Sequence, residues 1–267
     1  MKSSLQQQLS TLSGRQPKHK FASLSKSPSL IYTQEVAKGL GMEEVYDVGN
    51  NGILSLCKLD GCFEPFRETL FGAKYKEIDR DFESKEFNEE LDSLLSRFLR
   101  LLSPYFMLRP AHKALEWLIR RFRVWRFNVE EVMECILPYH ETNLFVRMVQ
   151  MCYIYETKWE FLETIRKSSS PLSRQNLVES CYKDDSLLSF VVEAARNAVK
   201  ECPNNHSTYV SFYTVLILEM FSRYNVRDNK LRIVLPLVFE ALKSKSLDFR
   251  VRFPLFFSFL LNINIFL

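Results

Sequence analysis

Residues 109–127, RPAHKALEWLIRRFRVWRF, concentrate the cations of this chain. Arg109, Lys113, Arg120, Arg121, Arg123 and Arg126 stand against Glu116 alone, a net charge of +5. The whole chain carries +4, from 36 basic and 32 acidic residues, so everything outside this stretch sums to −1. On a helix at 100° per residue, Arg109, Lys113, Glu116, Arg120, Arg123 and Phe127 share an arc of about 80°. Ala111, Ala114, Leu115, Leu118, Phe122 and Trp125 take the opposite arc. A row of cations of this kind is suited to phosphate or to an acidic partner, with contacts that weaken as salt rises. Stacking of unpaired bases needs aromatics on the charged face, and there only Phe127 qualifies. The plain alternative is a scaffold helix with a solvated basic face. Burial of each large apolar side chain is worth roughly 1.5–3 kcal/mol, which accounts for the apolar arc without a ligand. Glu116 and Arg120 are spaced to pair at i, i+4. Trp117 and Arg121 are spaced to stack as cation and ring.

Other reactive side chains do not assemble into a motif. His140 and Glu141 in LPYHET suggest a metalloprotease helix, but Leu144 stands where the second histidine would be needed. A boundary histidine followed by a glutamate favoured by the helix dipole explains the pair. The six cysteines, at 57, 62, 135, 152, 181 and 202, contain no CxxC, and Cys57 and Cys62 have no second Cys or His pair nearby. Free, partly buried thiols are the expectation rather than zinc. His19, His112, His140 and His206 are far apart in sequence. No phosphate-cradling glycine loop or nucleophile elbow occurs. Asp184 and Asp185 precede an apolar run, where a helix start favours carboxylates. The expectation is a chain with no catalytic residue, no cofactor and no metal.

The elements that must carry these residues are helical. Only 7 glycines occur in 267 residues, fewer than sheet-rich or dinucleotide-binding folds use in their turns. In EFNEELDSLLSRFLRLL, Phe87, Leu91, Leu94, Phe98 and Leu101 or Leu102 recur at helical spacing, with Glu89, Asp92, Ser96, Arg97 and Arg100 opposite. Prolines at 104, 110, 138, 171, 203 and 236 punctuate segments of helical length. LRIVLPLVFEALKSKSLDFRVR has the form of a degenerate HEAT unit, with Pro236 in its first helix and Asp248, Arg250 and Arg252 opening a second. LPYHETNLFVRMVQ is similar, with Pro138 and then Val146 and Arg147. The predicted organisation has three parts. Residues 1–31 hold a short helix, with Leu5, Leu9 and Leu12 on one face, and a Ser/Lys/Pro-rich linker. Residues 32–250 form an all-α, HEAT-like domain of stacked antiparallel helix pairs. Residues 251–267 form an apolar tail, too short and too rich in Asn to span a membrane, that has the look of a gene-model or truncation artefact.

Several blocks resemble the HEAT repeat-containing protein 1 family, the large HEAT-repeat subunit of the small-subunit processome. They are SLQQQLSTL near the start, PSLIYT at 28–33, FEPFRETLF at 63–71, LSPYFMLRPAHKALEWLIRRF at 102–122, ILPYHETNLFVRMVQ at 136–150 and CYKDDSLLSFV at 181–191. Their order and spacing match the N-terminal region of that family over about residues 4–250. The resemblance implies a non-catalytic α-solenoid of the nucleolus, within the nucleus, that supports RNA polymerase I transcription and early 18S rRNA processing. It also implies partners: β-propeller subunits, pre-ribosomal RNA and U3 small nucleolar RNA, with no membrane and no small-molecule substrate. Arg109, Lys113, Arg120 and Arg123 are the expected RNA- or partner-binding residues, forming one exposed stripe. A cytoplasmic HEAT-repeat adaptor, of the transport or phosphatase-scaffold type, is the alternative.

Overall fold

A computed structural model describes residues 28–154, 156–201, 206–224 and 228–243. Among these, all regular structure is helical and no strand occurs. The expected short helix near Leu5, the unit opened by Asp248 and the tail at 251–267 lie outside the described residues. In chain order the α-helices are α1 (Gln34–Gly39), α2 (Met42–Leu59), α3 (Glu64–Arg67), α4 (Lys85–Leu102), α5 (Arg109–Arg121), α6 (Val124–Phe127), α7 (Val129–Ile136), α8 (Asn143–Met151), α9 (Glu163–Ser168), α10 (Arg174–Lys183), α11 (Asp185–Glu201), α12 (His206–Arg223) and α13 (Asp228–Lys243). Short 3-10 turns link several of them. One hydrophobic core runs from Leu30 to Val238.

The local rules explain most boundaries. Ser84 caps α4 by accepting the Phe87 N–H at 3.1 Å, and Thr142 caps α8 through Phe145 at 3.2 Å. Such caps satisfy amide groups the helix cannot use. Pro104 and Pro138 open the turns Ser103–Tyr105 and Leu137–Tyr139, and Pro110 sits in the first turn of α5. These are positions where a missing N–H costs nothing. Pro236 lies inside α13, whose Val234, Leu237 and Val238 are buried.

Two features arrange these helices. Toward the C-terminus, α10 and α11 are followed by α12 and α13 as an equivalent pair. Arg174 pairs with Glu219, Arg196 with Glu240 and Lys230 with Asp185, across separations of 45, 44 and 45 residues. That interval matches the repeat of a HEAT stack, about 40–47 residues, and the fold is an α-solenoid of the HEAT type. Toward the N-terminus, α2 lies directly against α5. A Cβ on Gly49 would stand 2.4 Å from Trp117 Cβ, and one on Gly52 would stand 2.6 Å from the Ala114 backbone N. Two glycines three residues apart thus give α2 a flat strip on which α5 rests.

Two expectations are corrected. The chain is docked from before Tyr32: Ser29 and Leu30 are buried, so residues 28–31 belong to the helical body and not to a linker. The stretch 109–127 is not one helix. It ends at Arg121; Arg123 adopts a left-handed backbone (φ 51°, ψ 43°), and α6 starts in a new direction. A single helical arc through residues 109–127 therefore does not exist.

Candidate functional site

The break after α5 decides where its cations go. Arg120, one turn from the end, donates to the Glu116 carboxylate at 2.7 Å and to the Ala37 carbonyl at 3.0 Å. Arg121 donates to the Ile78 carbonyl. Arg123 bridges Asp79 at 2.8 Å and Asp81 at 2.7 Å. The Arg123 guanidinium holds the Asp81 carboxyl below the usual carboxylate range. These three arginines fasten α1 and the loop around residues 78–81 to the end of α5. Arg109 and Lys113 remain, and among the described residues neither has a carboxylate partner. The expected single exposed stripe is thus divided: at the start of α5 Arg109 is exposed and Lys113 half-buried, while Arg120 and Arg123 are engaged internally. Phe127 is partly exposed, but its ring is ringed by Arg80, Arg123 and Arg126 at 4.5, 5.1 and 5.0 Å. The pairing of Glu116 with Arg120 follows the i, i+4 spacing. Trp117 does not stack on Arg121; it is fully buried and its indole N–H donates to the Leu70 carbonyl at 2.9 Å.

Glu116 is the residue the helical arc misplaced. It shares a face with Arg109 and Lys113, yet it is completely buried. Its second carboxylate oxygen accepts the backbone N–H of Leu30 at 2.8 Å and of Ile31 at 3.3 Å. From α8, Arg147 donates to the carbonyl of Ser29 at 3.1 Å and to that of Tyr32. A strap of backbone, residues 29–32, is therefore gripped by a carboxylate for its donors and a guanidinium for its acceptors. PSLIYT, the α5 block and NLFVRMVQ meet at this one place. A second node lies at the other end of α5. Arg80, almost fully buried, donates to Asp92 at 2.5 Å and Asn128 at 2.8 Å, and Asn128 donates to Asp92 at 2.7 Å. Nothing local in the sequence marks Arg80 or Arg147, because their partners are up to 118 residues away.

The other reactive side chains are occupied structurally. His140 Nδ1 faces the Leu172 carbonyl at 2.7 Å, so that nitrogen carries the proton, and burial draws its pKa below the ordinary value. Cys57, Cys135, Cys152 and Cys181 are free thiols, the first half-buried and the last three buried. Burial pushes the Cys152 and Cys181 thiols up to about 12, outside the range of reactive thiolates. Asp184 accepts the Ser186 N–H at 2.7 Å at the start of α11, and Asp185 pairs with Lys230. No group of three metal-ligating side chains converges among the described residues, and no helix there is long and apolar enough to cross a membrane. What this face of the molecule offers chemically is charge and shape.

No family model matches the chain. Individual curated proteins do. Human HEAT repeat-containing protein 1 is 33% identical over 256 residues, covering 92% of this chain and 12% of the human protein. The Drosophila melanogaster HEAT repeat-containing protein 1 homolog is 32% identical over 255 residues, 93% of this chain and 12% of its own length. U3 small nucleolar RNA-associated protein 10 of Yarrowia lipolytica is 34% identical over 192 residues, 72% of this chain and 12% of that protein. The chain thus spans about an eighth of the length of these relatives. By homology over most of its residues, it belongs to the HEAT repeat-containing protein 1 family, together with proteins named U3 small nucleolar RNA-associated protein 10.

Proposed function

We propose that this chain is a non-catalytic scaffold segment acting in ribosome biogenesis, within the small-subunit processome of the nucleolus. The observation that carries the reading is its homology, over most of its length, to proteins whose name records association with U3 small nucleolar RNA. The internal use of nearly every reactive side chain supports it, since a scaffold needs surfaces held in fixed relation and no reaction centre. A continuous core beneath stacked helix pairs supplies that rigidity. On this reading pre-ribosomal RNA, U3 small nucleolar RNA and β-propeller subunits are the partners, and the role extends to 18S rRNA processing and support of RNA polymerase I transcription. Arg109 and Lys113 make the phosphate contacts, while Arg120 and Arg123 fix the elements beside them.

A chimera tests this. The matching segment of human HEAT repeat-containing protein 1 is replaced by this chain in cells depleted of the native protein. The expected result is nucleolar localisation, co-purification of U3 small nucleolar RNA and restored 18S rRNA maturation. A stable chimera that stays in the cytoplasm and recovers no U3 RNA overturns the reading in favour of a cytoplasmic adaptor.

A further inference from the structure

We propose that Phe82 and a hollow beside Phe127 form one protein-docking surface, whose partner is a basic segment with an apolar residue to cover the Phe82 ring. This goes beyond the RNA-associated reading, because the surface is acidic and suits a protein.

The first observation is the exposure of Phe82. Its ring is 89% exposed, while the next most exposed large apolar residues among those described, Leu59 and Phe239, reach 56%. Those two stand on α2 and α13, where helical periodicity fixes the direction of each side chain. Phe82 stands in the loop before α4, where no such rule turns it outward. The loop is nevertheless held on both sides of it. Buried Arg80 is bonded to Asp92 and Asn128, and Arg123 to Asp79 and Asp81. The Phe82 N–H donates to the Asp79 carbonyl at 2.9 Å. Asn88 donates to the carbonyls of Arg80 and Ser84 at 3.0 and 3.2 Å. An aromatic ring presented on a fixed backbone is covered at little ordering cost, and aromatic residues are enriched at the centre of protein interfaces.

Charge is the second observation. Residues 77–90 carry seven exposed carboxylates against Arg80 and Lys85, a net −5. Arg123 takes Asp79 and Asp81, and Lys85 reaches Glu89 at 3.5 Å. Glu83, Glu86 and Glu90 form no ion pair among the described residues. Such a rim repels phosphate and favours a partner of opposite charge.

The third observation is a hollow of about 280 Å3 on the far side of Phe127. Phe127 joins it to the loop, because its ring lies 4.5 Å from the Arg80 guanidinium, two residues before Phe82. Glu130, Glu131 and Glu156 line the hollow with Arg126 and Tyr153. Lys158 pairs with both Glu130 and Glu156, so three carboxylates face two cations. Glu131 is half-buried and pairs with no cation among the described residues, and burial raises its pKa. A buried carboxylate is costly without a counter-charge. A lysine or arginine side chain entering the hollow supplies one, and the aromatic walls attract the same cation. A segment of about 12 residues, up to about 40 Å when extended, spans hollow and ring together.

The experiment selects a phage-displayed library of random 12-residue peptides on the immobilised 267-residue chain. The enriched sequence is then synthesised, and its Kd is measured by fluorescence anisotropy across a salt series. The variants are F82A, E131Q, E83K/E86K and, as a control at a distant exposed apolar position, L59A. Thermal unfolding confirms that each is folded. The selected peptides should combine Lys or Arg with a large apolar residue. F82A and E131Q should each weaken the Kd at least about tenfold. E83K/E86K should weaken it and flatten its salt dependence, and L59A should leave it unchanged. If no sequence is enriched, or the enriched peptides lack cations, the proposal falls. If F82A or E131Q keeps the parental Kd, ring and hollow are not one surface and it falls too. Self-association in analytical ultracentrifugation that F82A abolishes would make the occupant a second copy, and Phe82-dependent binding of labelled oligouridine would make it RNA; either result overturns the proposal. Binding is read on the isolated chain, so its failure leaves the chimera result untouched.

Discussion

Glu116 meets three demands at one fully buried carboxylate: two strap amides and the Arg120 guanidinium. A buried charge with such partners is costly to disturb, because removing one side leaves the other uncompensated, typically by 3–5 kcal/mol. Glu116→Gln keeps the shape but removes the charge and turns an amide N–H toward donors. We expect it to lower unfolding free energy by about 3 kcal/mol in urea denaturation and to speed amide exchange at Leu30 and Ile31. An unchanged denaturation midpoint would show that the strap is not held by this carboxylate. Two histidines, His140 buried and His112 half-buried, make a second residue-scale prediction. Burial lowers the pKa of His112 and His140 below 6.5, so the folded chain resists protons that the unfolded chain accepts. Stability from this source is complete above the unfolded value of about 6.5 and declines as pH falls toward the lower folded values. The melting temperature should be lower at pH 5.5 than at 7.5, and H112Q/H140Q should shrink that difference. If the double variant leaves the pH dependence intact, other groups carry it.

At the scale of elements, the contact of α2 with α5 depends on what α2 lacks. Gly49 and Gly52 sacrifice helix propensity, about 1 kcal/mol each relative to alanine. They do so where a Cβ would overlap Trp117 and the backbone at Ala114. On an isolated helix, Gly→Ala stabilises; here overpacking should win, at about 1–3 kcal/mol. Both should lose stability, because the Trp117 Cβ that meets Gly49 is fixed by its backbone as firmly as the Ala114 N that meets Gly52, and no rotamer change relieves either clash. Chemical denaturation of both variants checks this, and a gain in stability for either would mean that the helices can separate without cost. The same element shows how α5 is terminated. Arg123 bears a left-handed backbone, disfavoured for a side chain with a Cβ, and its two aspartate partners hold it there.

For the whole molecule, the repeated ion pairs between α10–α11 and α12–α13 report the stacking period. Arg196 donates through two nitrogens to Glu240, at 2.8 and 2.5 Å, and the carboxylate raises its pKa. Because the pair is partly exposed, its worth is about 1 kcal/mol or less. Arg196→Glu should destabilise by about that amount, with a further loss from repulsion by Glu240, and R196E/E240R should recover most of it. Thermal unfolding of the parent, the single variant and the double variant measures the recovery. No recovery in the double variant would indicate that the neighbouring helix pairs are placed by apolar packing alone.

The sequence by itself determined that the chain is helical, because amphipathic spacing, caps and prolines are local and each acts within a turn or two. It also determined which blocks matter, the pairing of Glu116 with Arg120, and the absence of a recognisable catalytic motif. Tertiary structure alone decided what the charges of 109–127 do. A helical arc treats every polar position as solvated, whereas Glu116 is buried by a strap from 86 residues away and Arg123 is turned by aspartates about 40 residues upstream. Arg80 and Arg147 were invisible for the same reason: their partners are chosen by how the helices stack. The glycines of α2 read as weak points in a helix until α5 is seen resting on them. Local periodicity fixes which residues form an element; the long-range approach of elements fixes which of their polar groups remain for a partner, and Arg109 and Lys113 are left because nothing in the described fold reaches them with a carboxylate.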